Sequence, residues 1–294
     1  MSGTWYEATA RERIDGLLDL GSFQEILPPQ DRVVSPHLKV LGSPAAFDDG
    51  VVVGKGLLDG KAVLVAAQEG AFMGGAVGEV HGAKIVGLME RALAERPEAV
   101  LLLLESGGVR LHEANAGLIA VSEVMRAILN LRAAQIPVIV LDGGRFGVFG
   151  GMGIAARLCT AVVMSEEGRL GLSGPEVIET TMGVEEFDAS DRALVWRTAG
   201  GKHRYIIGEA SGFVSDDIDE FRAAAIDWLR PADPLDLDAI EAEHVFLKAR
   251  VERFGTASDA RDIWQSAGIE HVEDIPLLEA EAFLKAVDDK RISL

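Results

Sequence analysis

Two short aliphatic runs, Ala99 to Leu104 and Ile136 to Leu141, are each followed closely by glycines. Apolar runs this short cannot form helices with their own caps. Their unbroken hydrophobicity predicts strands buried on both faces, as in a parallel sheet covered by helices. Between them Val121, Val124, Met125, Ile128 and Leu131 recur at helical spacing, so strand, helix and strand predict a crossover connection. Ser106-Gly107-Gly108 follows the first run, and six of the thirteen residues from Leu141 onward are glycine, Gly150-Gly151 among them. Glycine accepts positive φ and leaves its amide unshielded by a Cβ. Two such loops at strand ends can therefore aim two N–H donors at one oxygen, as an oxyanion hole does. Tight turns and close helix packing are the competing use of the same glycines.

The remaining pattern supplies layers around these strands. Ile14, Leu17 and Leu18 predict an amphipathic helix within Ala8 to Leu20, stopped by Gly21-Ser22, and Pro28, Pro29 and Pro36 then break the chain. Val51 to Val53 and Ala62 to Ala66 predict a hairpin turning at Asp59-Gly60. Ile85, Leu88, Met89, Ala92 and Leu93 predict a helix over Val80 to Ala94, and Ala161 to Met164 and Leu170 to Leu172 predict further strands. Beyond Gly183 glycine thins out and helical patterns dominate. The expectation is an α/β chain of 294 residues forming one domain: an N-terminal helix and arm (1–45), a core (46–183) and a mainly helical C-terminal region (184–294).

Charge and cysteine content narrow the function. With 28 Lys+Arg against 47 Asp+Glu, the net charge of −19 repels phosphate backbones and anionic lipid, which argues against nucleic-acid and membrane-surface binding. The stretch Glu209 to Glu243 holds eleven acidic and two basic residues; it reads as a solvated face, with a docking surface for a basic partner as the alternative. The single cysteine, Cys159, allows neither an internal disulfide nor a cysteine zinc ribbon and suits a reducing cytoplasm. No signal-peptide stretch opens the chain, and no apolar run approaches the roughly 20 residues of a membrane span. The histidines at 37, 81, 112, 203, 244 and 271 lack metal-ligand spacing, so no metal is expected. Dinucleotide and phosphate-loop glycine motifs and the serine-hydrolase elbow are absent.

Four blocks, in order between Arg11 and Glu179, point further: RERIDGLLDLGSFQE (Arg11 to Glu25), AFMGGAVGEVHGAKIVGLMERAL (Ala71 to Leu93), LLLLESGGVRLHEA (Leu101 to Ala114) and GRLGLSGPEVIE (Gly168 to Glu179). Together they resemble the acyl-CoA carboxyltransferase family of the crotonase superfamily. Given the missing zinc ribbon, the length and the acidic helical tail, the chain is most similar within it to the β subunits of biotin-independent malonate decarboxylases. The resemblance implies a fold of repeated ββα units and an active site shared with a homologous γ subunit. It also implies a malonyl thioester substrate on the CoA-derived phosphopantetheine arm of an acyl carrier subunit, with no biotin and no cofactor bound covalently to this chain.

In that family the amide donors map to Gly107-Gly108 and Gly150-Gly151. Loss of CO₂ from the malonyl group leaves an enolate whose oxygen two fixed N–H groups would stabilise, without a general base. His112, Glu113, His81 or a group from the partner subunit would then protonate carbon. Arg110 and Arg145 would offset the substrate carboxylate or the carrier phosphate, and Phe149, Ser173, Gly174 and Glu176 would line the substrate path. Met152-Gly153-Ile154-Ala155 stands where the crotonase-like hydratases place a glutamate, although Glu176 matches their other one; a Gly-Pro-Glu segment can equally start a helix. A carboxyltransferase subunit of a biotin-dependent acyl-CoA carboxylase is the main alternative. A hydratase- or isomerase-like enzyme and a non-catalytic scaffold half are weaker ones.

Overall fold

Helix α1 (Ala10–Leu17) begins at a reciprocal cap, in which the Thr9 side chain accepts from the Glu12 amide and the Glu12 side chain accepts from the Thr9 amide. The computed structural model describes residues 3–37, 39–40, 42 and 50–292, so the expected junction of arm and core at 45 and 46 lies outside the described residues. Strand β1 (Gln24–Ile26) pairs antiparallel with β2 (Val51–Leu58), which turns through Asp59-Gly60 into antiparallel β3 (Lys61–Gln68). Both turn residues have positive φ, as a two-residue hairpin requires. The chain continues as α2 (Glu79–Glu95), β4 (Ala99–Leu103), α3 (Ala116–Ala133), β5 (Val138–Asp142), α4 (Gly151–Leu158) and β6 (Ala161–Ser165). Then follow α5 (Pro175–Met182), α6 (Arg192–Ala199), α7 (Gly201–Ile206), β7 (Gly212–Val214), α8 (Ile218–Asp227), α9 (Leu237–Phe254), α10 (Ala260–Ser266) and α11 (Ala280–Val287).

Among the described residues the strands form one seven-stranded sheet in sequence order, and each pair from β3 to β7 is parallel. The apolar runs show how both faces are covered. Val100, Leu102, Leu104, Val138 and Val140 face the core built by α2, α3 and α4, whereas Leu101, Leu103, Ile139 and Leu141 face α1 and α8. The alternation gives every residue of these strands an apolar neighbour, which is why no polar position interrupts either run. The C-terminal helices share this core: Trp264 of α10 and Phe283 and Val287 of α11 join the α2–α4 side. On the opposite side Trp5 stacks on Phe221 with ring centroids 4.1 Å apart.

Leu170 to Leu172 does not form the expected strand. Leu170 makes a single parallel bridge to Val148, and Val148 in turn bridges Ser106, while Val77 bridges Val109. The second strand of each ββα unit is thus reduced to isolated bridges running across the loops that follow β3, β4, β5 and β6. Strands β1 and β7, three residues each, carry too little pattern to be anticipated, and α4 is hidden in the second glycine cluster. The acidic stretch 209–243 is not one solvated face either. Glu209 is half-buried between Arg204 and Arg250, at 2.6 and 2.8 Å, and the remainder is divided between α8, a loop and the first half of α9.

Candidate active site

Strands β4 and β5 are neighbours in parallel register, so their C-terminal ends deliver both glycine loops to the same edge of the sheet. The loops meet: a Cβ built on Gly150 would lie 3.2 Å from the Gly108 Cα. Gly108 has φ +137 and a Cβ there would point into open space, so the position demands glycine for its backbone and not for its surroundings. Gly151 differs, because a Cβ there would come within 2.5 Å of Val121 Cγ1 and force α4 away from α3.

The four glycine amides are not equivalent. Gly107 N–H donates to the Gly74 carbonyl at 2.8 Å, and Gly150 N–H to the Leu172 carbonyl at 2.9 Å. Gly108 N–H donates over a long 3.4 Å to nearby Ser106 Oγ and has no other acceptor among the described residues. Gly151 is the first residue of α4, where an amide has no intrahelical acceptor, and among the described residues it has no other. Gly107 and Gly150 therefore spend their amides on holding the loops, whereas the amides of Gly108 and Gly151 have no backbone acceptor among the described residues, and that of Gly151 lies at the positive end of α4.

A buried ion pair fastens both loops together. Glu105 ends the β4 run, and its carboxylate accepts from the Gly70 amide at 3.3 Å and from the Phe146 amide at 3.2 Å. Arg13 of α1, equally buried, contacts the same carboxylate at 3.0 Å and donates through Nε to the Trp5 carbonyl. Gln68 accepts from the Glu105 amide, and its side-chain nitrogen lies 3.0 Å from His81 Nε2. Gly75 comes so close that a Cβ would overlap the Glu105 carbonyl oxygen. Asp142, the last residue of β5, is fully buried, and burial pushes its pKa well above the usual carboxylate range; its side-chain oxygens make no well-formed hydrogen bond among the described residues. Neither the Arg13–Glu105 pair nor Asp142 stands out by sequence pattern. An Arg in the first block and a Glu before the glycines are visible there, but nothing local links two residues so far apart in the chain.

The other candidate residues divide by burial. Arg110 is buried, donating to the Ala76 carbonyl at 3.0 Å and to Glu113 at 3.2 Å. Glu113 in turn accepts from the Glu79 amide at 2.8 Å and so caps α2, whose N-cap, Gly78, offers no side chain. These two residues hold a helix start and are not placed at an open surface. His81 is fully buried. His112 is half-exposed, with Nε2 3.8 Å from Glu113. Arg145 is exposed on the second loop, and its carbonyl accepts from Arg169, whose guanidinium lies over both Phe149 and Trp196. Buried Phe149 packs against Gly171 and Gly174, which joins the Gly168–Gly174 segment to the second loop. Gly174 is the N-cap of α5 with Pro175 at the first position, so exposed Glu176 lies in the first turn, where a negative charge is favoured. Ser173 is half-buried beside it. No cluster of metal-ligating side chains occurs among the described residues.

A mostly parallel sheet that brings two glycine loops edge to edge, each with one amide that has no backbone acceptor among the described residues, is a crotonase-like scaffold. The chain matches the carboxyl transferase domain over residues 7–233 and belongs to that family. It is 43% identical to the malonyl-S-ACP:biotin-protein carboxyltransferase MADC of Malonomonas rubra, over 96% of this chain and 94% of that one. Among solved structures it is similar to a chain of a Pseudomonas malonate decarboxylase hetero-tetramer in complex with malonate, with 42% identity, a TM-score of 0.79 and coverage of 88% and 95% of the two chains. The Pseudomonas malonate decarboxylase MdcD-MdcE hetero-dimer also matches, at 40% identity and a TM-score of 0.67 over 84% and 96%.

Proposed function

We propose that this chain is the β subunit of a malonyl-S-acyl-carrier-protein decarboxylase, a carboxy-lyase that is active together with a homologous subunit. The observation behind it is the pair of amides without a backbone acceptor among the described residues, Gly108, whose contact to Ser106 Oγ is long, and Gly151, on loops that touch. Near full-length likeness to malonyl-thioester enzymes supplies the substrate class. The malonyl group arrives as a thioester on the carrier subunit's phosphopantetheine-type arm, with its thioester oxygen between the two amides. As the bond to the carboxylate breaks, electron density moves onto that oxygen. The two N–H groups and the α4 terminus meet a charge greater in the transition state than in the ground state. CO₂ leaves and carbon takes a proton, giving the acetyl thioester. His112, the half-exposed histidine on the first loop, is the donor or relay from this chain, and exposed Arg145 is the cation available to the substrate carboxylate. Phe149, Ser173, Gly174 and Glu176 border the second loop along the acyl path.

Decarboxylation uses no biotin and no cofactor attached to this chain. The reading puts the reaction in the cytoplasm, in keeping with a lone, buried thiol: burial pushes Cys159 up to about 12, far from reactive. No helix among the described residues is long and apolar enough to cross a membrane. A second reading, in which the released carboxyl passes to a biotin protein, draws on the Malonomonas relative. The deciding experiment measures CO₂ release from malonyl carrier thioester by the complex assembled with its partner subunit. Release unaffected by avidin is expected; avidin inhibition favours carboxyl transfer, and no turnover of malonyl thioester under either condition sinks both.

A further inference from the structure

The acidic stretch left unexplained by the active site ends inside α9, and its opposite charge lies in the same helix. Of the eighteen residues of α9 only Phe254 is buried. Leu237, Ile240, His244, Leu247 and Val251 recur at alternating spacings of three and four, the a/d pattern of a helix-pairing seam. All five are exposed, the four aliphatic ones by 37–69%. The helix is held to the body along a different edge, where Glu243 lies 3.7 Å from Arg157, Arg250 lies 2.8 Å from Glu209, and Arg250 covers Phe246.

Charge along α9 is bipolar. From its cap to mid-helix it carries Asp236, Asp238, Glu241 and Glu243 and no Lys or Arg; from there to its end it carries Lys248, Arg250 and Arg253 against Glu252. On the outer edge of the seam Glu241 and Lys248 sit one heptad apart. A parallel pair would set acidic half against acidic half. An antiparallel pair of identical helices, with its two-fold between His244 and Leu247, places Ile240 opposite Val251 and His244 opposite Leu247. It also places each Glu241 beside the other copy's Lys248. The seam is therefore complementary to itself.

We infer that α9 is a homotypic docking helix, through which a second copy of this chain associates in antiparallel, two-fold fashion, doubling whatever complex the active site requires. A seam along one helix is less than the roughly 1,200–2,000 Å² of a stable interface, so the association is weak and reversible. Two-fold closure limits it to a pair and prevents open-ended assembly.

The test uses the full-length chain assembled with its partner subunit. The His244→Cys variant is treated with a short bismaleimide; Cys159 is buried and its thiol stays protonated, so it does not compete. A covalent dimer of this chain is expected. Sedimentation at micromolar concentration should give a doubled complex that Glu241→Lys or Lys248→Glu alone weakens about tenfold, since each reversal turns two exposed attractions into repulsions. The double exchange, Glu241→Lys with Lys248→Glu, should restore association. Cross-linking of the His244→Cys variant to a different subunit, failure of the double exchange to restore pairing, or no doubled complex at all overturns the inference.

Discussion

Gly108 and Gly151 look alike in sequence, but the space around them sets opposite expectations. At Gly108 an added Cβ enters open space while φ +137 is strained for any L side chain, so Gly108→Ala should fold and misdirect one donor. Loss of one such donor typically slows turnover by roughly 10²–10³-fold, about 2.7–4 kcal/mol. We expect kcat to fall by that order, with substrate affinity and Tm changing much less. Unaltered kcat in a folded Gly108→Ala complex would remove this amide from the mechanism. Gly151→Val would instead collide with Val121 and unpack α4 from α3, so its lost activity should follow its lost Tm. The staple beneath both loops acts through charge. Glu105→Ala leaves the Arg13 guanidinium buried without its counterion and frees the Gly70 and Phe146 amides, which should cost about 3–5 kcal/mol in unfolding free energy. A denaturant titration of the assembled protein measures it, and a loss below about 1 kcal/mol would mean that the pair is not a staple.

Elements were legible where pattern is local. Period-two burial on both faces wrote β4 and β5 as unbroken apolar runs, and the 3.6-residue period wrote α2 close to its observed ends and marked the buried face of α3 from Val121 to Leu131, though not its start at Ala116. What decides the site is not local. The four glycines look alike in sequence, and the positions of the Gly74 and Leu172 carbonyls separate the two amides bound to backbone from the two that are not. In the same way Arg110 reads as an anion binder in sequence, whereas the capping of α2 by Glu113 gives it a buried partner. The contact between α7 and α10 has a pH consequence that sequence could not assign. His203 is buried and accepts at Nδ1 from Trp264 Nε1, and burial lowers its pKa to about 3 from an unfolded value near 6.5. Between these values the unfolded chain binds a proton that the folded chain does not. This contribution to stability is complete above about pH 6.5 and is lost as pH falls toward about 3. Tm should therefore decline over that window, and His203→Gln should show a shallower decline; equal slopes for the two proteins would exclude His203 as the source.

At the scale of the whole molecule, the candidate site is bordered by surface that a lone subunit cannot hide. Leu111, Leu118 and Ile119 follow the first glycine loop, and Leu172, Val177 and Met182 lie on the segment after β6 that packs against the second; each is more than half exposed. Isolated apolar side chains are ordinary on a protein surface, but six on the segments beside the two candidate loops suit a surface that a partner covers. A homologous subunit bearing the same kind of loops would cover that face and close the mouth of the oxyanion site against water, strengthening its two amides as the local dielectric falls. The α9 seam lies on a different element and carries a balanced, bipolar charge, so the two surfaces separate experimentally. The chain purified alone should self-associate through the apolar face, with low turnover of malonyl thioester. Addition of the homologous subunit should raise turnover by orders of magnitude and lower dye binding to exposed apolar surface. Leu118→Glu with Val177→Glu should abolish that rescue and leave the Glu241–Lys248 exchange behaviour unchanged. A lone chain that stays monomeric and decarboxylates at the rate of the complex would mean that the site is complete within these 294 residues.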